Sequence, residues 1–156
     1  VAPSAIAEPF DTVSVCLSKG LGAPVGSILV GPASLIAEAR KWRKMLGGAM
    51  RQVGLIAAAG MHALENHIDR LAIDHENARL LAEGLATVEG VSVDAQNTNM
   101  VFVTVPQGSD NLEERLAKHG INTRWAGNHS RMVLHLGIDK EDIATVVTAV
   151  NLELNS

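Results

Sequence analysis

Lys19 is flanked by Ser18 on one side and by Gly20-Leu21-Gly22 on the other. Small and flexible neighbours let a ligand approach both the backbone and the amine closely. A lysine so placed can form an imine with a carbonyl compound. That reaction needs the unprotonated amine, which burial or neighbouring cations supply by lowering its pKa. The same pattern in a solvated turn is chemically silent, so other residues must decide. Lys44 and Arg51 lie on either side of Gly47-Gly48, where two cations and several backbone amides could converge on an anion. The competing reading is a glycine pair that ends a helix beside surface cations. The histidines do not read as metal ligands, because His62 and His67 are five apart and no two histidines stand at a spacing of three or four.

The elements that must hold Lys19 follow from pattern. Residues 12–17 are rich in β-branched side chains and predict a strand, the stretch through Pro24 and Gly26 is a shaped loop, and residues 27–30 predict a second strand. The lysine therefore sits on a turn between two strands. Gly31-Pro32 opens a helix in which Leu35, Ile36, Ala39, Trp42 and Leu46 recur at helical spacing until Gly47-Gly48. An alanine-rich helix is expected over residues 50 to about 64, and a third over about 68 to 85. The third carries Leu71, His75, Ala78, Leu81 and Leu85 on one apolar stripe, which makes His75 a partly buried, satisfied histidine. Beyond Gly90 the period falls to two. Val91 and Val93, then Val101, Val103 and Val105, predict strands. A short helix over 112–119, strands over 121–125 and 132–136, and a helix from Asp139 to about residue 154 complete a small α/β unit. Asp139 is its expected N-cap, with Asp142 three residues on.

Composition excludes several classes of function. With 47% hydrophobic residues among 156, the chain can bury a core. Its 13 basic and 17 acidic residues are mixed along the length, net charge −4, so no basic stripe is available and nucleic acid is not expected as a partner. No apolar run approaches the roughly 20 residues that span a bilayer, and the start lacks the pattern of a signal peptide, so no membrane role is expected. The one cysteine, Cys16, excludes an internal disulfide and, between Val15 and Leu17, predicts a reduced residue in a strand and a cytoplasmic location. The chain starts at Val1 and enters a strand pattern within about a dozen residues, as the downstream piece of something longer would.

The segment Ser14-Val15-Cys16-Leu17-Ser18-Lys19-Gly20-Leu21-Gly22-Ala23-Pro24-Val25-Gly26-Ser27 closely resembles the cofactor-lysine segment of low-specificity threonine aldolases. The resemblance continues through Trp42-Arg43-Lys44-Met45, Gly47-Gly48-Ala49-Met50-Arg51-Gln52, Asp74-His75-Glu76-Asn77-Ala78 and Thr98-Asn99-Met100, in the order and approximate spacing of that family. It covers essentially this whole chain but only the later part of a family member. It implies an α/β fold: the end of a fold-type I large domain with a mainly parallel sheet, here residues 1–80, then a small C-terminal α/β domain, residues 81–156.

By the same resemblance, Lys19 would hold pyridoxal 5'-phosphate as an imine, and the reaction would be retro-aldol cleavage of threonine and related β-hydroxy-α-amino acids to glycine and an aldehyde. Arg131, in Arg131-Met132-Val133-Leu134-His135, matches the segment that reaches the substrate carboxylate. Arg51 is placed on the cofactor side and Lys44 on the substrate side. The family pattern continues after this histidine with an acidic residue where Leu136-Gly137 stands here, so His135 is not carried over as a site residue. Asn99 is expected to order a strand start. The aspartate for the ring nitrogen, the histidine that stacks on the ring, the phosphate loop and the base for the β-hydroxyl belong to the family's first half. The expected partners are therefore an amino-acid substrate, an N-terminal half in the same polypeptide or a separate chain, and further copies in a homotetramer built as a dimer of dimers. The isolated chain is expected to be inactive. Racemisation or β-elimination on the same fold, and a non-catalytic remnant of it, are the rival expectations.

Overall fold

The computed structural model describes residues 1–155. A short helix α1 (Pro3–Ala7), with proline in its first turn, occupies the opening, where only proline punctuation was legible. The β-branched run becomes β1 (Val13–Cys16), and β2 (Ser27–Val30) pairs with it antiparallel, Val13 opposite Val30 and Cys16 opposite Ser27. Cys16 is a free thiol, exposed on β1.

Helix α2 (Ala33–Met45) starts just after Pro32 and stops at the glycine pair. Gly47 takes φ +84°, its amide donates to the Lys44 carbonyl at 3.2 Å, and the Gly48 amide donates to the Arg43 carbonyl at 2.8 Å. This is a Schellman closure, in which a left-handed residue turns two amides back onto the last carbonyls of the helix. Helix α3 (Gly54–Asn66) begins later than residue 50. The reason is local: Gln52 has φ +52°, which helical geometry excludes, so residues 51–53 form a turn.

These elements make one compact unit, Val1–Ile68. Its buried apolar side chains are few, Leu17, Ala23 and Ala63. Helix α2 buries none, and Leu46 and Leu55 are 82% and 83% exposed.

The second unit, Asp69–Ser156, carries a full core. Its elements are α4 (Leu71–Leu85), β3 (Ser92–Asn97), β4 (Met100–Thr104), α5 (Leu112–Ala117), β5 (Trp125–Ala126), β6 (His129–Val133) and α6 (Lys140–Asn155). The four strands form an antiparallel sheet in the order β3-β4-β6-β5. Alternation places Val101 and Val103 of β4 inward, opposite Met132 and Ser130 of β6. Helix α4 packs on β3, β4 and α6, and Leu85, Leu116 and Val150 complete the interior. The compact units divide after Ile68, within the 68–90 stretch where a boundary is legible, and α4 buries Ala78, Leu81, Ala82 and Leu85 in the second core.

Three expectations need correction. His75 is exposed, and the inward face of α4 runs instead through Asp74, Asn77, Ala78, Leu81, Ala82 and Leu85. Residues 121–124 are not strand: the Ile121 amide donates to the Leu116 carbonyl at 3.1 Å and its side chain enters the core, so the chain meets β6 only at Trp125–Ala126. β6 spans His129–Val133 rather than 132–136. A two-residue hairpin at Gly127-Asn128, with Gly127 at φ +63°, starts it early, and pairing with β4 ends at Val133 opposite Met100. The start of α6 agrees with its sequence signal. The amides of Glu141 and Asp142 donate to Asp139 Oδ1 at 2.8 and 3.0 Å, and the Asp139 amide donates to Asp142 Oδ2 at 3.0 Å. This is a reciprocal capping box with aspartate in place of glutamate.

Gly84 lies where α4 meets α6, and a Cβ there would approach Val147 Cγ2 to 2.6 Å. In an exposed helix, glycine to alanine stabilises by about 1 kcal/mol. Here a β-branched side chain with little rotamer freedom stands in the way, and overpacking costs about 1–3 kcal/mol. Gly84→Ala should therefore lower the urea midpoint of the protein. A rise would show that α6 yields without loss.

Candidate active site

The turn that carries Lys19 is built around Leu17. The Leu17 amide donates to the Gly26 carbonyl, and its own carbonyl accepts the Ala23 amide, both at 3.0 Å. These bonds close the loop just beyond the ends of β1 and β2. Inside it, the Gly22 amide donates to the Lys19 carbonyl at 2.9 Å, with Gly22 at φ +70°, a conformation that glycine adopts without steric cost. Leu17 and Ala23 are buried against Ala63 of α3, and a Cβ on Gly60 would stand 3.0 Å from Leu17 Cδ1. The small residues of α3 thus let the helix sit close under the turn. His67, just past the end of α3, adds a polar tie, its Nδ1–H donating to the Leu21 carbonyl at 2.6 Å. A carbonyl only accepts, so the proton is on Nδ1. With Leu17 held inward, Lys19 is exposed at the tip of the turn. It makes no ion pair among the described residues.

Lys44 lies in the last turn of α2 and Arg51 in the turn before α3, both exposed and both without an ion pair among the described residues. The amides of Gly47 and Gly48 between them are occupied by the Lys44 and Arg43 carbonyls. They do not point at an anion, as the sequence pattern allowed. Those two amides are therefore not available to an anion held here.

Arg131 belongs to the second unit. It stands on β6 opposite Phe102 of β4, exposed and without an ion pair among the described residues. It lines a cavity of about 820 Å³ where residues 121–124 part from β6, together with Arg124, Ile121, Met132, Glu113 and Asp142. His135 is exposed, and its Nδ1 accepts the Gly137 amide at 3.2 Å, so its ring caps a turn. Asn99 does more than start a strand. Its amide nitrogen donates to the Leu134 carbonyl and its own carbonyl accepts the Leu134 amide, both at 2.8 Å.

The motif Asp74-His75-Glu76-Asn77 divides by face. Asp74, fully buried, accepts both terminal nitrogens of Arg70 at 2.7 and 3.1 Å, and Asn77 donates to the Ile138 carbonyl at 3.0 Å. Glu76 points outward to Arg79, whose hydrogen bond holds that carboxyl below the usual carboxylate range. Periodicity could not reveal Asp74 and Asn77 as inward residues, since their partners are polar or distant in sequence. On the outer face of the same sheet, Thr104 Oγ1 lies 2.6 Å from Asp94 Oδ2 and 2.7 Å from His129 Nδ1. No sequence pattern signalled that row.

Similarity to known proteins places this geometry. A family model described as beta-eliminating lyase matches residues 1–107, from α1 through β4. Low-specificity L-threonine aldolase 1 of Arabidopsis thaliana is 44% identical over 145 residues, which cover 88% of this chain and 40% of that protein. Low specificity L-threonine aldolase of Escherichia coli K12 is 45% identical over 144 residues, covering 90% and 42%. The chain thus spans about 40% of the length of these curated relatives. A Listeria monocytogenes structure, described provisionally as an L-allo-threonine aldolase, superposes with TM-score 0.82 over 99% of this chain and 47% of its own, at 23% identity. That likeness establishes an α/β fold of the fold-type I kind. Because the family match runs unbroken through the Lys19 turn, the Gly47-Gly48 closure, α4 and the first hairpin of the second sheet, the chain belongs to the beta-eliminating lyase family.

Proposed function

We propose that this chain supplies the cofactor lysine of a pyridoxal-phosphate-dependent aldehyde-lyase that cleaves threonine and related β-hydroxy-α-amino acids to glycine and an aldehyde. The observation that carries the reading is the Lys19 turn. An exposed amine with no ion pair among the described residues sits at the tip of a loop closed by both main-chain groups of Leu17, within the stretch that the family model matches. The residues present fit the cofactor, because the amine is exposed and Gly20 and Gly22 add no side chains to the turn that carries it. When bound, pyridoxal phosphate supplies an electron sink for the electrons of the breaking Cα–Cβ bond. Lys19 Nζ would hold the cofactor covalently. Arg131 donates two hydrogen bonds to the substrate carboxylate, which orients the Cα–Cβ bond. Arg51 would meet the cofactor phosphate and Lys44 a substrate anion, without help from the Gly47 and Gly48 amides, which are occupied.

The reading assigns residues 1–80 to the large cofactor domain and residues 81–156 to the small domain. It places the partner of the ring nitrogen and the base for the β-hydroxyl in an N-terminal half, supplied in the same polypeptide or by another chain. The exposed apolar side chains of α2, its C-cap and α3, Trp42, Met45, Leu46 and Leu55 among them, support such a partner and a homotetramer built from dimers. The lone cysteine supports a cytoplasmic location. No helix among the described residues is long and apolar enough to cross a membrane.

A second reading, β-elimination, is favoured by the description of the matching family model. Products separate the two. With threonine or phenylserine, the enzyme assembled with its N-terminal half should release glycine and the aldehyde. A keto acid with ammonia would put elimination in its place, and an inverted amino acid would indicate racemisation.

Lys19→Ala should reduce turnover by orders of magnitude and abolish borohydride trapping of cofactor on the peptide containing residue 19. Trapping on another lysine would refute the assignment. Arg131→Ala should leave trapping intact and lower kcat/KM by about 30-fold to several thousand-fold, since a lost bidentate charged contact costs about 2–5 kcal/mol. A change within threefold would give the carboxylate to another cation.

A further inference from the structure

Two asparagines from the shared motifs have no part in the chemistry above, yet both grip the stretch of chain that follows Arg131. Pairing between β4 and β6 ends at Met100 opposite Val133. Just beyond it, Asn99 binds both main-chain groups of Leu134: its side-chain amide donates to the Leu134 carbonyl and its backbone carbonyl accepts the Leu134 amide, each at 2.8 Å. At the other end of the stretch, the Asn77 amide donates to the Ile138 carbonyl at 3.0 Å, and the Ile138 amide donates to the His135 carbonyl at 2.9 Å. We propose that Asn99, reinforced by Asn77, is a positioning residue that fixes the end of β6 and so the direction from which Arg131 meets the substrate carboxylate. This rests on the reading of Arg131 as the carboxylate's partner.

Two features show that these contacts are held against resistance. Thr98, which sets up Asn99 in the β3–β4 turn, has φ +52°, a costly conformation for a β-branched residue that persists only where its surroundings impose it. Hydrogen bonds from Thr98 Oγ1 to the Asn97 carbonyl at 2.7 Å and from Gln96 Nε2 to the Thr98 carbonyl at 3.0 Å hold it there. Asn77 is 1% exposed, and its Oδ1 is buried without a hydrogen-bond partner. A nonpolar side chain would avoid that penalty, but it would lose the bond to Ile138. A bidentate arginine contact needs tight geometry. Small displacements of a positioning element lower binding of the aligned group while leaving the remainder of the site intact.

The test uses the full-length enzyme loaded with pyridoxal phosphate, titrated with glycine and with glycinamide while the absorbance of the bound cofactor is followed. Glycinamide keeps the amine but lacks the carboxylate. Asn99→Asp preserves size and replaces the donor with an acceptor. It should weaken glycine about tenfold or more and leave glycinamide within twofold. A double variant with Arg131→Ala should bind glycine no worse than Arg131→Ala alone, because the asparagine acts only through the arginine. Asn77→Leu should show the same glycine-selective loss, about threefold to tenfold, and keeps the test open if Asn99→Asp fails to fold. The proposal falls if Asn99→Asp binds glycine within twofold of the parent while Arg131→Ala does not. It falls equally if both ligands weaken together, as a general loosening of the fold would produce, or if the double variant is additive. If Arg131→Ala alone leaves glycine binding unchanged, the role of Arg131 is what fails, and the positioning role goes with it.

Discussion

Leu17 has to be buried while Lys19, two residues on, stays in solvent, and the first unit is arranged around that requirement. Both main-chain groups of Leu17 are bonded across the loop, to Gly26 and Ala23, which leaves the chain between them little freedom. Its side chain is received by α3 at the one place where the helix offers Gly60 and Ala63. A larger residue at position 60 would push α3 away and release the turn. The positive φ of Gly22 and the bond from His67 to Leu21 follow from the same closure.

The two units solve the problem of burial differently. Four antiparallel strands with helices on one face give the second unit an alternating interior, in which Val101 faces Met132 and Val103 faces Ser130. A two-stranded ribbon has no such capacity, since three or more strands or a packed helix face are needed to bury a core. The first unit keeps apolar side chains of α2 and α3 in solvent. The Lys19 turn thus belongs to the unit with the smaller interior, and its shape depends on hydrogen bonds within the loop more than on depth of packing.

The cations are set out in a way that divides labour. Lys19 and Arg131 occupy a turn tip and a strand, where backbone hydrogen bonds determine direction. Lys44 and Arg51 flank a helix closure that already uses its own amides. Close to the carboxyl end of α2, Arg43 and Lys44 also complement the negative pole of the helix. A cation in that place stabilises the helix whether or not it meets a ligand.

Local chemistry was enough to read much of this. The β-branched run of β1, the glycines around Lys19, the Gly47-Gly48 closure and the Asp139–Asp142 cap all appear where their residues require, because turns, caps and short strands are decided by neighbours along the chain. The family resemblance also rests on contiguous segments. The inward face of α4 was misread, since counting apolar residues put His75 on it, whereas Asp74 is buried through Arg70 and Asn77 through Ile138, a partner 61 residues away. The ends of β6 were misplaced for a similar reason. Apolar content favoured residues 132–136, but pairing with β4 and the clamp of Asn99 on Leu134 stop the strand at Val133. Whether a polar side chain can turn inward depends on hydrogen-bond partners that a count of apolar residues does not include, and a strand ends where its pairing does. Residue types and spacing therefore determined which side chains could do chemistry, while tertiary contacts alone decided which way they face.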